Sequence, residues 1–239
     1  MDDYIKDIIF KNNCDRYEEL VELNSDIQKL SIKKRPYLIE FLGSARSGKS
    51  TTIELIADVF RKNGLKVSVV DEETVKLTKT INENRNQKMQ VNSLDYTNNV
   101  IEEKVVLYDS YNEFDADIVI FDRGINDEFI WLYTFGASSE KLEEYHNKLK
   151  DRYVDTLILL TCDIEVSLKR KYFNSLSVLP NKWTNPETLS KYLEGLKKVS
   201  NYFENHAVSK CYIDSTQEEK IKIAIQVCRQ IIEDISAKQ

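Results

Sequence analysis

The chain has 239 residues, 41% of them hydrophobic and 10% aromatic, enough to build one large domain or one domain with an extension. Charged residues make up 31% with mixed signs, and the net charge of −6 argues against the basic footprint of a nucleic-acid binder without excluding a local basic groove. Cys14, Cys162, Cys211 and Cys228 are scattered with no C-x-x-C pair, which argues against zinc and suits a reducing compartment.

Residues 1 to about 30 read as helical, with Ile5, Ile8 and Ile9, then Leu20, Val21, Leu23 and Ile27 on the apolar positions. They precede the first strand, so residues 1–35 are expected to form an N-terminal helical extension to a domain over 36–239. The apolar positions need a surface to cover, either the core or another chain, and a homodimer is among the assemblies this allows. The acidic start, Met1-Asp2-Asp3-Tyr4, has no signal-peptide pattern, and no apolar run approaches membrane-spanning length. The expectation is a soluble cytoplasmic protein without a membrane partner. Lys33-Lys34-Arg35 before Pro36 reads as a solvated basic linker or a phosphate contact.

Residues 37–42 read as a strand and 52–61 as a helix, with Ile53, Ile56 and Phe60 at helical spacing. Between them Gly43-Ser44-Ala45-Arg46-Ser47-Gly48-Lys49-Ser50 fits G-x-x-x-x-G-K-[ST] without departure, and Thr51 follows. Strand, glycine loop and helix are the context that makes this motif a phosphate site. Glycines let successive backbone N–H groups curl toward phosphate oxygens, and the helix N-terminus adds partial positive charge. Lys49 is placed to reach the β- and γ-phosphates, and the Ser50 hydroxyl to ligate Mg²⁺. The expected ligands are ATP and magnesium.

Further strands are expected at 66–70, 117–121, 156–161 and 210–213, separated by amphipathic segments, which implies βαβ units and a parallel sheet. Asp122, at the carboxyl end of a buried apolar strand, is the second candidate magnesium ligand, where open parallel sheets place their ligands. Arg123 beside it suits pairing with a substrate phosphate or a carboxylate. Ser215-Thr216-Gln217-Glu218 reads as a capping box for a closing helix whose inward stripe is Ile221, Ala224, Cys228, Ile231 and Ile235. Asp127, Trp131, Tyr133 and Phe135 frame a candidate acceptor pocket, their rings either stacking a flat acceptor or packing as core.

The loop, the acidic turn Asp71-Glu72-Glu73, Asp122-Arg123-Gly124 and the basic helix carrying Lys169, Arg170 and Lys171, in this order, resemble the nucleoside and nucleotide kinase branch of P-loop proteins. Thymidylate kinases and deoxynucleoside kinases are the closest types, and the resemblance covers about residues 36 to 235. It implies an α/β three-layer sandwich: a five-stranded parallel sheet in order 2-3-1-4-5 with helices on both faces. It also implies a phosphotransferase acting on a nucleoside, a nucleotide or a similar small-molecule acceptor. Glu72 matches the position of the acceptor-side base, with Glu73 adjacent. Arg170 matches the basic lid over the transferring phosphate. Residues 172–205 contain no arginine, a departure from the usual lid. Two other functions fit the same nucleotide site: an ATPase or switch module using the N-terminal helices as a partner surface, and a kinase of nucleic-acid 5′ ends, against which the acidic charge weighs.

Overall fold

The computed structural model of the chain describes residues 16–32, 35–70, 94–111, 114–149, 154–174, 186–202 and 209–238. Glu72, Glu73 and Lys182 lie outside them, as do Lys33 and Lys34. The described elements are helix α1 (Tyr17–Ile27), strand β1 (Tyr37–Leu42), α2 (Lys49–Lys62), β2 (Val67–Val70), α3 (Leu94–Tyr111), β3 (Ile118–Asp122), α4 (Ile125–Thr134), α5 (Ser139–Leu149), β4 (Thr156–Thr161), α6 (Ile164–Asn174), α7 (Pro186–Tyr202), β5 (Ser209–Asp214) and α8 (Lys220–Ala237).

The strands form one parallel sheet in the order β2-β3-β1-β4-β5, as the kinase resemblance implies. Alternation along each strand divides the core. Ile39 and Phe41 of β1 and Ile158 and Leu160 of β4 share a cluster with Ile56, Phe60, Ile225, Val227 and Ile231 of α2 and α8. Leu38, Leu42, Leu157 and Leu159 share the other with Tyr108, Phe129, Ile130, Tyr192 and Leu196 of α3, α4 and α7. Helices thus cover both faces. Glu40, fully buried, occupies the β1 position between Leu38 and Leu42, a carboxyl group in an otherwise apolar row.

Helix α1 packs into this body. Leu20, Leu23 and Ile27 are buried in the first cluster with Val59, Ile221, Ala224 and Cys228. Asn63 closes α2 and ties it to α1, donating from Nδ2 to Asn24 Oδ1 at 2.6 Å and to the Val59 carbonyl at 2.9 Å. Arg35, expected in a solvated linker or on a phosphate, is instead a clamp. It holds both Asp155 carboxylate oxygens at 2.8 Å, and Lys238 adds a third contact at 2.9 Å. Burial raises the Asp155 pKa, but the Arg35 pair, the Leu38 N–H and Lys238 outweigh it and hold the carboxyl below its ordinary value. The cause is geometric: Asp155 opens β4 next to β1 and must be paired where it is buried. Among the described residues no helix is long and apolar enough to cross a membrane.

Candidate functional site

The loop between β1 and α2 lies at the carboxyl end of the sheet. Its backbone takes conformations that its sequence permits only in part. Gly43 (φ 151°) and Gly48 (φ 96°) are glycines at positive φ, whereas Arg46 (φ 62°) is a left-handed residue with a side chain. Gly43 is obligatory for space as well, because a β-carbon there would lie 1.9 Å from the Leu160 carbonyl oxygen. Arg123 (φ 65°) is the other left-handed non-glycine among the described residues. Each such residue costs on the order of 1–3 kcal/mol, and both lie on the wall of one cavity, as functional strain tends to.

The outer carbonyls of the loop are all engaged. Ser167 Oγ donates to Ala45 O at 2.7 Å, Arg170 Nη1 to Arg46 O at 3.1 Å, and Ser215 Oγ to Ser47 O at 2.7 Å. Peptide planarity sets each carbonyl opposite the next residue's N–H, so the N–H groups of Arg46 and Gly48 point to the other side. Lys49 folds over the loop, with Nζ 3.1 Å from the Gly43 carbonyl. Residues 45–52 line a cavity of about 670 Å³ together with Asp122, Arg123, Arg170 and the turn into α8. Gly43 and Ser44 are buried and do not line it. The volume falls within the roughly 300–1,000 Å³ of small-molecule sites.

Ser50 Oγ donates to Asp122 Oδ2 at 2.8 Å, so the two expected magnesium ligands meet across 72 residues of sequence. Asp122 Oδ1 is buried with no hydrogen-bond partner. A hydroxyl and a carboxylate with one uncommitted oxygen are hard donors, and Mg²⁺ takes few protein ligands beside water and phosphate. The residues fit the ion.

Arg170 lines the cavity with its guanidinium braced on the Arg46 carbonyl and, at 2.7 Å, on the Ser215 carbonyl. Ser215 does not cap the closing helix as its sequence suggests. Helix α8 starts at Lys220 with Glu219 at its N-cap and no side-chain cap bond. The Ser215 hydroxyl is drawn to Ser47 instead, and Thr216 Oγ1 bonds Asp214, so neither reaches the helix. No local pattern in the sequence marks the backing of the loop by Ser167 and Ser215.

Under Arg123 lies a buried polar cluster, also missed. Lys104 Nζ donates to Arg123 O at 3.0 Å, to Gly124 O at 3.2 Å and to Glu128 Oε1 at 2.7 Å. Burial lowers the Lys104 pKa, but the Glu128 carboxylate outweighs it and the ammonium is held above its ordinary value. Glu40 accepts from Asn126 Nδ2 at 2.6 Å, from Tyr108 OH at 3.1 Å and from Asp127 N–H at 3.1 Å. Burial nevertheless pushes its carboxyl up to about 7. The available signal was a single acid inside an apolar strand. Arg123 Nη1 lies 3.8 Å from Asp127 Oδ2. Trp131 is buried, donating from Nε1 to Asp127 Oδ2 at 2.9 Å and stacking on Phe135 at 5.5 Å, so of the two roles open to this aromatic pair it takes core packing. Glu72 lies outside the described residues.

Comparison with known proteins places this geometry. A family model described as an AAA domain matches residues 38–171. Thymidylate kinase from Ehrlichia chaffeensis superposes with a TM-score of 0.55 at 16% identity, covering 83% of this chain and 100% of that one. A deoxyadenosine kinase from M. mycoides, with the products dCMP and a flexible dCDP bound, gives 0.55 at 14% identity over 82% and 98%. The YorR protein of Bacillus subtilis, in complex with phosphorylated GDP, gives 0.51 at 18% identity over 81% and 95%. These likenesses show that the chain shares its fold with these proteins. Among curated proteins, the signal recognition particle 54 kDa protein of Pyrobaculum aerophilum is 40% identical over 62 residues, spanning 25% of this chain and 14% of that protein's length.

Proposed function

This chain belongs to the AAA domain family, and from that premise we propose that it is a magnesium-dependent phosphotransferase that moves the γ-phosphoryl group of ATP to a nucleoside, a nucleotide or a similar small acceptor. The observation that carries the reading is the Ser50–Asp122 pair, with its uncommitted Asp122 oxygen, on the wall of a cavity whose other side is the glycine loop. The kinase-type fold supports transfer over simple hydrolysis.

In this reading residues 45–51, which line the cavity, hold the triphosphate, with the N–H groups of Arg46 and Gly48 and the Lys49 ammonium offering donors to its oxygens, while Gly43 and Ser44, expected among the phosphate-binding residues, lie behind them and shape the loop. Ser50 and Asp122 hold Mg²⁺, which when bound supplies charge neutralisation to the phosphates. Arg170 keeps the loop in shape and carries positive charge on the cavity wall. Arg123 serves the acceptor side, and Glu72 receives the acceptor hydroxyl proton. Little covalent chemistry is asked of the protein; the site positions and stabilises charge.

The alternative of a switch module uses the N-terminal helices as a partner surface; of their apolar positions Leu20, Leu23 and Ile27 are spent on the chain's own core, while Ile5, Ile8 and Ile9 lie outside the described residues. Titrating the protein with MgATP, then screening nucleosides and nucleotides as acceptors by ADP release, tests the proposal. Acceptor-dependent ADP release that is lost in Lys49→Ala supports it; hydrolysis indifferent to every acceptor overturns it.

A further inference from the structure

Tyr192 belongs to neither half of the site, yet its hydroxyl lies between them. It stands on α7 with its side chain 2% exposed. Gly43 N–H donates to its hydroxyl oxygen at 3.3 Å, and the hydroxyl in turn donates to Asp127 Oδ1. Asp127, 1% exposed, takes the Trp131 Nε1–H on its other oxygen, which faces the Arg123 guanidinium at 3.8 Å. The ring alone would fill this place: it packs 4.8 Å from the Trp131 ring, as a phenylalanine would. A buried hydroxyl is costly unless its donor and acceptor roles are both used. Here they are used on the first residue of the phosphate loop and on the carboxylate behind Arg123.

We infer that Tyr192 and Asp127 are positioning residues that hold the phosphate loop and Arg123 in one register, through the chain Gly43–Tyr192–Asp127–Arg123. This rests on the reading of the loop as a nucleotide site. Gly43 is pressed against the Leu160 carbonyl on one side and tied to Tyr192 through its amide. Its carbonyl anchors Lys49 Nζ. Loss of the tyrosine hydroxyl therefore frees the residue that seats the lysine, and leaves the Asp127 carboxylate to re-orient toward Arg123. A side chain off the cavity wall thereby sets the geometry of both halves.

The test uses the full chain with Tyr192→Phe, Asp127→Asn and the double substitution, and Leu196→Val as a control for packing on the same helix. Backbone hydrogen exchange is followed in the segments carrying Gly43 and Arg123, without nucleotide, and MgATP affinity is measured well below the unfolding temperature. Tyr192→Phe and Asp127→Asn are each expected to speed exchange in both segments and to weaken MgATP by about tenfold, the size of one buried hydrogen bond. The double variant loses no more than the worse single, because both break one chain. Leu196→Val lowers thermal stability and leaves exchange at these segments and affinity within about twofold of the starting protein. Unchanged exchange at Gly43 and Arg123 in Tyr192→Phe, or losses that multiply in the double variant, overturn the inference. Absence of MgATP binding by the unaltered protein, together with faster exchange of both segments in Tyr192→Phe and Asp127→Asn, overturns the nucleotide reading and leaves the positioning chain standing.

Discussion

Gly124 stands so close to Glu40 that a β-carbon on it would lie 2.7 Å from the Glu40 carboxyl carbon and 2.9 Å from the Tyr108 hydroxyl. The space at the glycine after Asp122-Arg123 is thus limited by the side chain of a buried acid on β1, whereas its own φ of −79° is one any residue adopts. Gly124→Ala is expected to cost about 1–3 kcal/mol, as overpacking does, and to weaken the positioning of Arg123. Chemical unfolding measures the cost. Gly124→Ala in a Glu40→Ala background should recover part of it, and equal cost in both backgrounds would refute the contact as cause.

Glu40 also makes stability depend on pH. Its carboxyl, ordinarily at 4.5, is pushed up to about 7 by burial. Between these values the folded protein keeps a proton that the unfolded chain has released. Stability therefore falls as pH rises through about 5 to 7, by on the order of 3 kcal/mol in total. Glu40→Gln should flatten this slope. Unfolding curves at pH 5.5, 6.5 and 7.5 for both proteins decide the matter; parallel slopes would show that Glu40 is not the titrating group.

Asp122→Asn keeps the hydrogen-bonding shape beside Ser50 but removes the charge and one hard oxygen donor. The expected result is a higher magnesium requirement for nucleotide binding with little change in thermal stability. Lys49→Ala should cut turnover by roughly 10²-fold or more, the cost of one preorganised donor, while the fold survives. Magnesium titrations at fixed ATP check the first, and steady-state assays the second.

Helix α1 offers a test that needs no ligand. Leu23 is 2% exposed and packs with Val59 and Ile221. Leu23→Ala should destabilise the whole protein by about 2–5 kcal/mol in a single cooperative transition. A low-temperature transition of α1 by itself, with the remainder unmoved, would mean that the helix is an appendage.

Much of this site was legible in the sequence because it is local. The glycine loop is contiguous, and an apolar run followed by Asp122 marks a strand end. The strands at 37–42 and 156–161 were read to the residue, and β3 ends one residue later than expected, so that Asp122 closes the strand. The sheet order came from the kinase resemblance, not from periodicity. What stayed hidden is polar and long-range. Ser215 read as a helix cap because four residues of local pattern suit one, yet its hydroxyl is claimed by a carbonyl 168 positions away. Arg35 read as linker because its partner, Asp155, is 120 positions off. Nothing beside Tyr192 in the sequence reveals what its hydroxyl meets, Gly43 and Asp127 being 149 and 65 positions away.

The packing of α1 against α8 has a consequence for how the protein is made. The two helices bury each other's apolar faces, yet about 200 residues of chain separate them. At synthesis rates of about 5–20 residues per second, Leu20, Leu23 and Ile27 leave the ribosome some 10–40 seconds before the α8 part of their cover exists. During that interval α1 can rest on Val59 and Asn63 at the end of α2, but the side of it that α8 covers stays open. The nascent chain carries an unsheltered greasy stripe for most of its translation, and slowing the ribosome near the 3′ end of the message would lengthen that exposure.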